Sequence, residues 1–127
     1  MMTFVLDHIA LSVKDVDLSI NFYKTVFGLQ SIKNTASNSK TQWLALTDTK
    51  QIHLIPRPEL DVKTNKAVHF ALATPNFESF ISHLKYLTIP YSDWRNTKKK
   101  DYVRDDGIKQ IYFQDPDGYW IEVNNAI

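Results

Sequence analysis

Four side chains stand out for their chemistry and for where they lie. His8, His53, His69 and Glu122 each sit inside a short apolar run, where an unpaired polar group is costly. Taken singly, a strand histidine is more often a hydrogen-bonded packing residue than a ligand. Here the positions recur. His8-Ile9-Ala10-Leu11 returns 61 residues later as His69-Phe70-Ala71-Leu72, and Ile52-His53-Leu54 returns 69 residues later as Ile121-Glu122-Val123. Neutral imidazole nitrogens with a carboxylate oxygen suit a divalent transition metal, with zinc, nickel, manganese and iron as candidates. His8, His69 and Glu122 form a two-histidine, one-carboxylate set. His53 would be a fourth ligand, with one or two positions left for water or substrate. The remaining histidine, His83, falls on the polar side of a helical pattern and is expected at the surface.

The elements that must position these residues also recur. Thr3–Val13 is apolar and β-branched and reads as a strand. Asp15–Phe27 has helical spacing, an acidic cap and Gly28 at its end. Short strands are expected at Leu29–Lys33, Gln42–Leu46 and Gln51–Pro56. A polar linker, residues 57–66, follows. The pattern restarts with a strand at Ala67–Ala73 and a helix capped by Thr74 with Pro75 in its first turn, ending at Leu87. Strands are then expected at Ile89–Asp93, Lys109–Gln114 and Tyr119–Asn124. The last two are joined by the turn Asp115-Pro116-Asp117-Gly118, with Gly118 expected at positive φ. The unequal offsets of 61 and 69 require an insertion in the second repeat, for which the aperiodic, polar residues 96–106 are the candidate. The expected fold is α+β: two βαβββ repeats, residues 3–56 and 67–124, forming a curved mixed sheet in one domain of residues 1–127.

Composition narrows the chemistry. The chain has 127 residues, 43% hydrophobic and 23% charged, enough for one globular domain with a real core. Lys plus Arg number 15 against 14 Asp plus Glu, a net charge of +1, so no strong basic field favours nucleic acid or an anionic membrane. The absence of cysteine removes disulfides, thiol nucleophiles and cysteine-held metals. Three glycines, Gly28, Gly107 and Gly118, are too few and too scattered for a phosphate-cradling loop. No run approaches the roughly 18 apolar residues of a membrane span, and no secretory leader pattern opens the chain, so a cytoplasmic location is expected.

The sequence resembles the vicinal oxygen chelate superfamily, which includes glyoxalase I, bleomycin resistance proteins, fosfomycin thiol transferases, methylmalonyl-CoA epimerase and extradiol dioxygenases. The resemblance rests on Asp7-His8-Ile9-Ala10-Leu11, on Ser19-Ile20-Asn21-Phe22-Tyr23 leading to Phe27-Gly28-Leu29, on His69, and on the ending from Phe113 to Val123, FQDPDGYWIEV. It covers essentially the whole chain. It implies the glyoxalase/bleomycin resistance/dioxygenase fold, with His8, His69 and Glu122 matching three glyoxalase I-type metal ligands. His53 stands where glyoxalase I usually carries Glu and the epimerase Gln. The expected activity is that of a metal-dependent lyase or isomerase like glyoxalase I. The metal would chelate two neighbouring substrate oxygens and stabilise an enediolate, with Glu122 as the base. An extradiol-type dioxygenase, a fosfomycin-type thiol transferase drawing charge from residues 98–100 and Arg104, and a ligand-sequestering protein of the bleomycin-resistance kind are the alternatives. Trp43, Phe70, Tyr112 and Trp120 are candidates for an apolar wall. The partner would be a small molecule, and the assembly a homodimer with sites at the interface. His8 and His53 would then come from one subunit, and His69 and Glu122 from the other.

Overall fold

A computed structural model describes residues 2–127. The chain divides into two compact units, one ending at Val62 and the other starting at Lys63. The first contains β1 (His8–Val13), α1 (Val16–Phe27), β2 (Gln30–Ile32), β3 (Gln42–Ala45) and β4 (Gln51–Pro56). The second contains β5 (His69–Ala73), α2 (Phe77–Tyr86), β6 (Tyr102–Val103), β7 (Lys109–Gln114) and β8 (Trp120–Asn124). Each unit builds a four-stranded mixed sheet, in the orders β1-β4-β3-β2 and β5-β8-β7-β6. The expected repeat is therefore present, as two sheets of one design.

Strand alternation sends side chains to opposite faces, and one face of each sheet makes the core. In the first unit Leu11, Val13, Leu44, Ile52 and Leu54 are buried together with Tyr23 and Val26 of α1. In the second, Ile111, Phe113, Ile121 and Val123 are buried with Phe77 and Leu84 of α2, and the rings of Phe80 and Phe113 lie 5.9 Å apart. The opposite faces carry the four candidate ligands. Parallel pairing sets Ala10 beside His53 in one unit and Ala71 beside Glu122 in the other. Antiparallel pairing sets Trp43 opposite His53 and Tyr112 opposite Glu122. His53 and Glu122 thus hold equivalent places in the two ladders, as their sequence contexts predict. Phe70 pairs with buried Ile121, which puts it on the helix-covered face and removes it from the candidate wall.

The differences from expectation have local causes. β1 starts at His8, and Phe4, Val5 and Leu6 before it are 85%, 77% and 63% exposed, so their apolar character does not extend the strand. Helix α2 starts at Phe77 behind Asn76, because Thr74 is still bound to the sheet: its N–H donates to the Asn124 carbonyl, and its Oγ1 accepts from Asn76 N–H. Ile89–Asp93 is not a strand. It keeps isolated bridges from Ser92, one to Lys98 and one to Tyr112, the latter in the place that Ile32 occupies opposite Trp43 in the first unit. The insertion follows that bridge and supplies β6 from within residues read as an aperiodic loop. Its signal was Asp106-Gly107, a hairpin turn: Gly107 has φ +84° and donates to the Arg104 carbonyl.

The two helices also end alike in conformation but not in residue. α1 closes on Gly28 at φ +69°, and the end of α2 carries Thr88 at φ +58°, with Ile89 N–H returning to the Leu84 carbonyl. The left-handed region costs a residue with a Cβ roughly 1–2 kcal/mol. Thr88 is exposed, so little packing is lost on replacing it. Thr88→Gly is expected to stabilise the protein by about 1 kcal/mol in urea unfolding. An unchanged or lowered midpoint would refute this.

Candidate metal centre

The second unit brings His69 and Glu122 together. His69 opens β5 and Glu122 sits in the middle of β8, and His69 Nε2 lies 3.4 Å from Glu122 Oε1. The His69 Nδ1–H donates to the Lys66 carbonyl at 2.8 Å. That bond fixes the ring with Nε2 turned toward Glu122. Glu122 Oε1 accepts from the Tyr112 hydroxyl at 2.8 Å, and Oε2 accepts from Asn124 Nδ2 at 2.6 Å. His69 Nε2 and a carboxylate oxygen therefore face each other at a separation that a shared proton or a shared cation can bridge. This is the donor pattern a cation satisfies. The separation matches two neighbouring ligands about 2.1 Å from one tetrahedral ion.

The outer contacts support the same chemistry. Metal-binding histidines commonly donate their second ring N–H to a carbonyl or carboxylate, and ligating carboxylates are themselves hydrogen-bonded. His69 and Glu122 satisfy both rules. Gln110 Nε2 donates to the Tyr112 hydroxyl at 3.1 Å, extending the chain behind the carboxylate. Burial and the Glu122 contact push the Tyr112 phenol well above its ordinary pKa, so it remains a donor. Glu122 and Asn124 are both buried. The turn before β8 sets their register. Gly118 has φ +88° as expected and donates to the Asp115 carbonyl, while Asp115 Oδ1 accepts from the N–H groups of Asp117 and Tyr119. A one-residue slip would turn Glu122 to the other face.

The first unit holds the other two candidates. His8 Nδ1–H donates to Asp7 Oδ2 at 2.7 Å, so Nε2 is the ring nitrogen turned away from Asp7. This bond holds the Asp7 carboxyl below its usual pKa. His53 is arranged differently. Its ring is stacked between His8, 4.0 Å away at 16°, and Trp43, 4.2 Å away at 3°. Its Nε2–H donates to Gln51 Oε1 at 2.8 Å. Burial, then the neighbouring His8, lower its pKa against the pull of Asp7, so the ring is neutral at pH 7. Nearly parallel rings carry their in-plane lone pairs in parallel planes, not toward one point. His53 thus supports the face of His8, and must rotate to share an ion with it. Among the described residues no three His, Cys, Asp or Glu side chains form a metal-holding group. Each unit supplies one pair. His83 lies in the last turn of α2, outside both pairs.

Two clefts flank Tyr112 in the second unit. One, of about 450 Å³, is lined by Trp94, Arg95, Tyr102 and Gln110. The other, of about 250 Å³, is lined by Lys98, Gln114 and Trp120. Each places one cation beside the face that carries Glu122. Arg104, expected as a free charge, is paired with Asp106 at 2.6 Å. Sequence reading missed Lys66 and Asn124. Asn124 had a visible signal, because it is two residues from Glu122 and shares its face. Lys66 had none.

The family profile of the Glyoxalase/Bleomycin resistance protein/Dioxygenase superfamily matches residues 5–123. The chain belongs to this superfamily. A metallothiol transferase FosB from Lysinibacillus sphaericus is 30% identical over 125 residues, covering 95% of this chain and 82% of that protein. A FosB from Staphylococcus epidermidis is 32% identical over 94% of this chain and 80% of its own length. Glyoxylase I 4 of Arabidopsis thaliana is 29% identical, over 95% of this chain and 70% of its own. The fold is shared with the fosfomycin resistance protein FosX of Listeria monocytogenes, at TM-score 0.75 and 22% identity over 99% of this chain and 96% of that one. It is also shared with the oxidase ChaP-H2, at TM-score 0.80 and 16% identity over the same shares. No helix among the described residues is long and apolar enough to cross a membrane.

Removing the hydroxyl that fastens Glu122 tests the outer contacts. Tyr112→Phe is expected to weaken divalent-metal binding about tenfold, measured by calorimetric titration, with the circular dichroism spectrum retained. Wild-type affinity in a folded variant would show that the hydroxyl does not tune the carboxylate.

Proposed function

We propose that this protein is a metal-dependent enzyme of small anionic molecules, with His8, His69 and Glu122 holding one divalent cation, and that its reaction is thiol transfer of the fosfomycin-resistance kind. One observation carries the choice between reactions. Both oxygens of Glu122 are fastened, by Tyr112 and Asn124, and its repeat counterpart is His53 rather than a carboxylate. Proton shuttling in glyoxalase I uses two opposed carboxylates, and this chain offers one, held in place. A fixed carboxylate suits a permanent ligand. The FosB relatives at 30–32% identity support the same reading, as do Arg95 and Lys98 in the clefts beside Tyr112.

When bound, the cation would draw electron density from the epoxide oxygen of fosfomycin, so that a C–S bond forms as the epoxide C–O bond breaks and the released oxygen takes up the proton the thiol loses. The chain's own residues do the rest. Lys66 C=O and Asp7 orient His69 and His8 by their Nδ1–H groups. Tyr112 and Asn124 keep Glu122 turned to the site face. Arg95 and Lys98 attract the anion, and Trp94 and Trp120 exclude water from it. Glyoxalase-type isomerisation is the second reading, supported by the similarity to glyoxylase I 4.

Two measurements test this. Metal-loaded protein is expected to consume a low-molecular-weight thiol in the presence of fosfomycin and to leave a methylglyoxal hemithioacetal unchanged. His69→Ala is expected to lose metal and thiol transfer together. Isomerisation without thiol transfer would move the assignment to the lyase, and retention of full metal content by His69→Ala would reject the ligand set.

The same reading places the two pairs on a homodimer, with His8 and His53 from one subunit and His69 and Glu122 from its partner. Exposed Phe4, Val5 and Val68 beside the strands that carry His8 and His69 support an interface there. Co-refolding His8→Ala with Glu122→Ala is the check. In a shared-site dimer each mixed pair has one intact site, so activity is expected to return. No recovery in confirmed heterodimers would put all ligands on one chain.

A further inference from the structure

Lys66 stands three residues before His69 and touches both sides of the second unit's metal-binding pair. Its main-chain carbonyl accepts the His69 Nδ1–H. Its ammonium donates to the Asp93 carbonyl at 2.9 Å, the Trp94 carbonyl at 3.0 Å and Asn96 Oδ1 at 2.7 Å. An ammonium has three protons, and all three are used on one loop. The same group lies over the rings of Trp120, Tyr112 and Trp94, at 4.8, 5.1 and 5.5 Å from their centroids. Tyr112 is the donor to Glu122. One residue thus links the backbone acceptor of His69, the ring behind Glu122 and the loop that walls the larger cleft.

A lysine used this fully is not a free charge for substrate. Its half-buried ammonium is fixed by six contacts with five residues, and its stem ties the loop to the segment entering β5. We propose that Lys66 is a positioning residue: through its ammonium it clamps the 93–96 loop and the Tyr112 ring against the segment that orients His69, and so preserves the facing of His69 Nε2 and Glu122 Oε1. This rests on the reading of His69 and Glu122 as metal ligands. Arginine does not substitute well, because a planar fork cannot present one compact charge to three ring faces and three acceptors.

Metal-stripped full-length protein is titrated with Mn²⁺ by calorimetry, and its tryptophan emission is recorded without metal. Lys66→Met keeps the aliphatic stem and removes the ammonium. It is expected to raise the metal Kd about tenfold, and to shift the metal-free emission to the red as Trp94 loosens. Asn96→Gly removes one acceptor on an exposed loop while its φ of +66° stays accessible, and is expected to raise Kd about threefold. The double variant is expected to bind no more weakly than Lys66→Met, because Asn96 acts only through the ammonium. A Kd for Lys66→Met within about twofold of wild type overturns the proposal, as does a double variant whose losses multiply. Should Lys66→Met not fold, Asn96→Gly decides alone, and an unchanged Kd overturns the proposal. A wild-type protein that binds no Mn²⁺, Zn²⁺, Ni²⁺ or Fe²⁺ removes the metal reading and this proposal with it. Wild-type binding with unaffected variants removes only the role of Lys66.

Discussion

The carboxylate of Glu122 faces Nε2 of His69 across 3.4 Å, and much of the second unit is arranged to keep it there. Two acceptors at that distance repel unless a proton or a cation lies between them. The carboxylate is buried and cannot swing into water. It is held by Tyr112 from the neighbouring strand and by Asn124 from its own. A charge-assisted hydrogen bond contributes roughly 1.5–3 kcal/mol, more than a neutral one. The pair is therefore held in one arrangement by contacts around it, as a prepared ligand set would be.

The first unit follows the same ladder with different consequences. His8 has a carboxylate behind it where His69 has a carbonyl. His53 holds the place of Glu122, but its ring lies in a stack with Trp43 and His8 and its proton is committed to Gln51. One repeat has become a carboxylate clamp and the other an aromatic stack. A duplicated scaffold permits this, because each half keeps its register through backbone pairing while the face side chains diverge. That asymmetry bears on the reaction, since chemistry that needs two mobile carboxylates finds only one, and that one fixed.

The inserted stretch shows how a loop acquires a role. Relative to the first repeat, extra residues follow the Ser92–Tyr112 bridge and fold into a short hairpin at β6. Trp94 and Arg95 lie at its start and line the larger cleft. That start closes on itself through the Ser92–Lys98 bridge and the Thr97 N–H bond to Asp93 Oδ1, and the Lys66 ammonium fastens it to the segment before β5. Conserving the sheets while varying the loops is how one fold accommodates different substrates.

The sequence by itself determined the repeat, most element boundaries and the candidate ligands. Local physics is enough for these: an aspartate cap and a glycine stop mark α1, Gly118 marks the final turn, and matched apolar contexts mark His8, His69 and Glu122. It also carried the superfamily resemblance, because the Asp115–Glu122 ending needs its residues in that order. Tertiary structure decided what depends on partners distant in the chain. The register of β7 against β8 puts Tyr112 on Glu122, and stacking occupies His53. Sheet pairing delays α2 past Thr74, and Lys66 reaches residues nearly thirty positions away. None of these has a local signal, since a side chain's hydrogen-bond partner is set by which strand lies beside it. Spacing can propose a ligand; only the packed sheet fixes where its lone pair points.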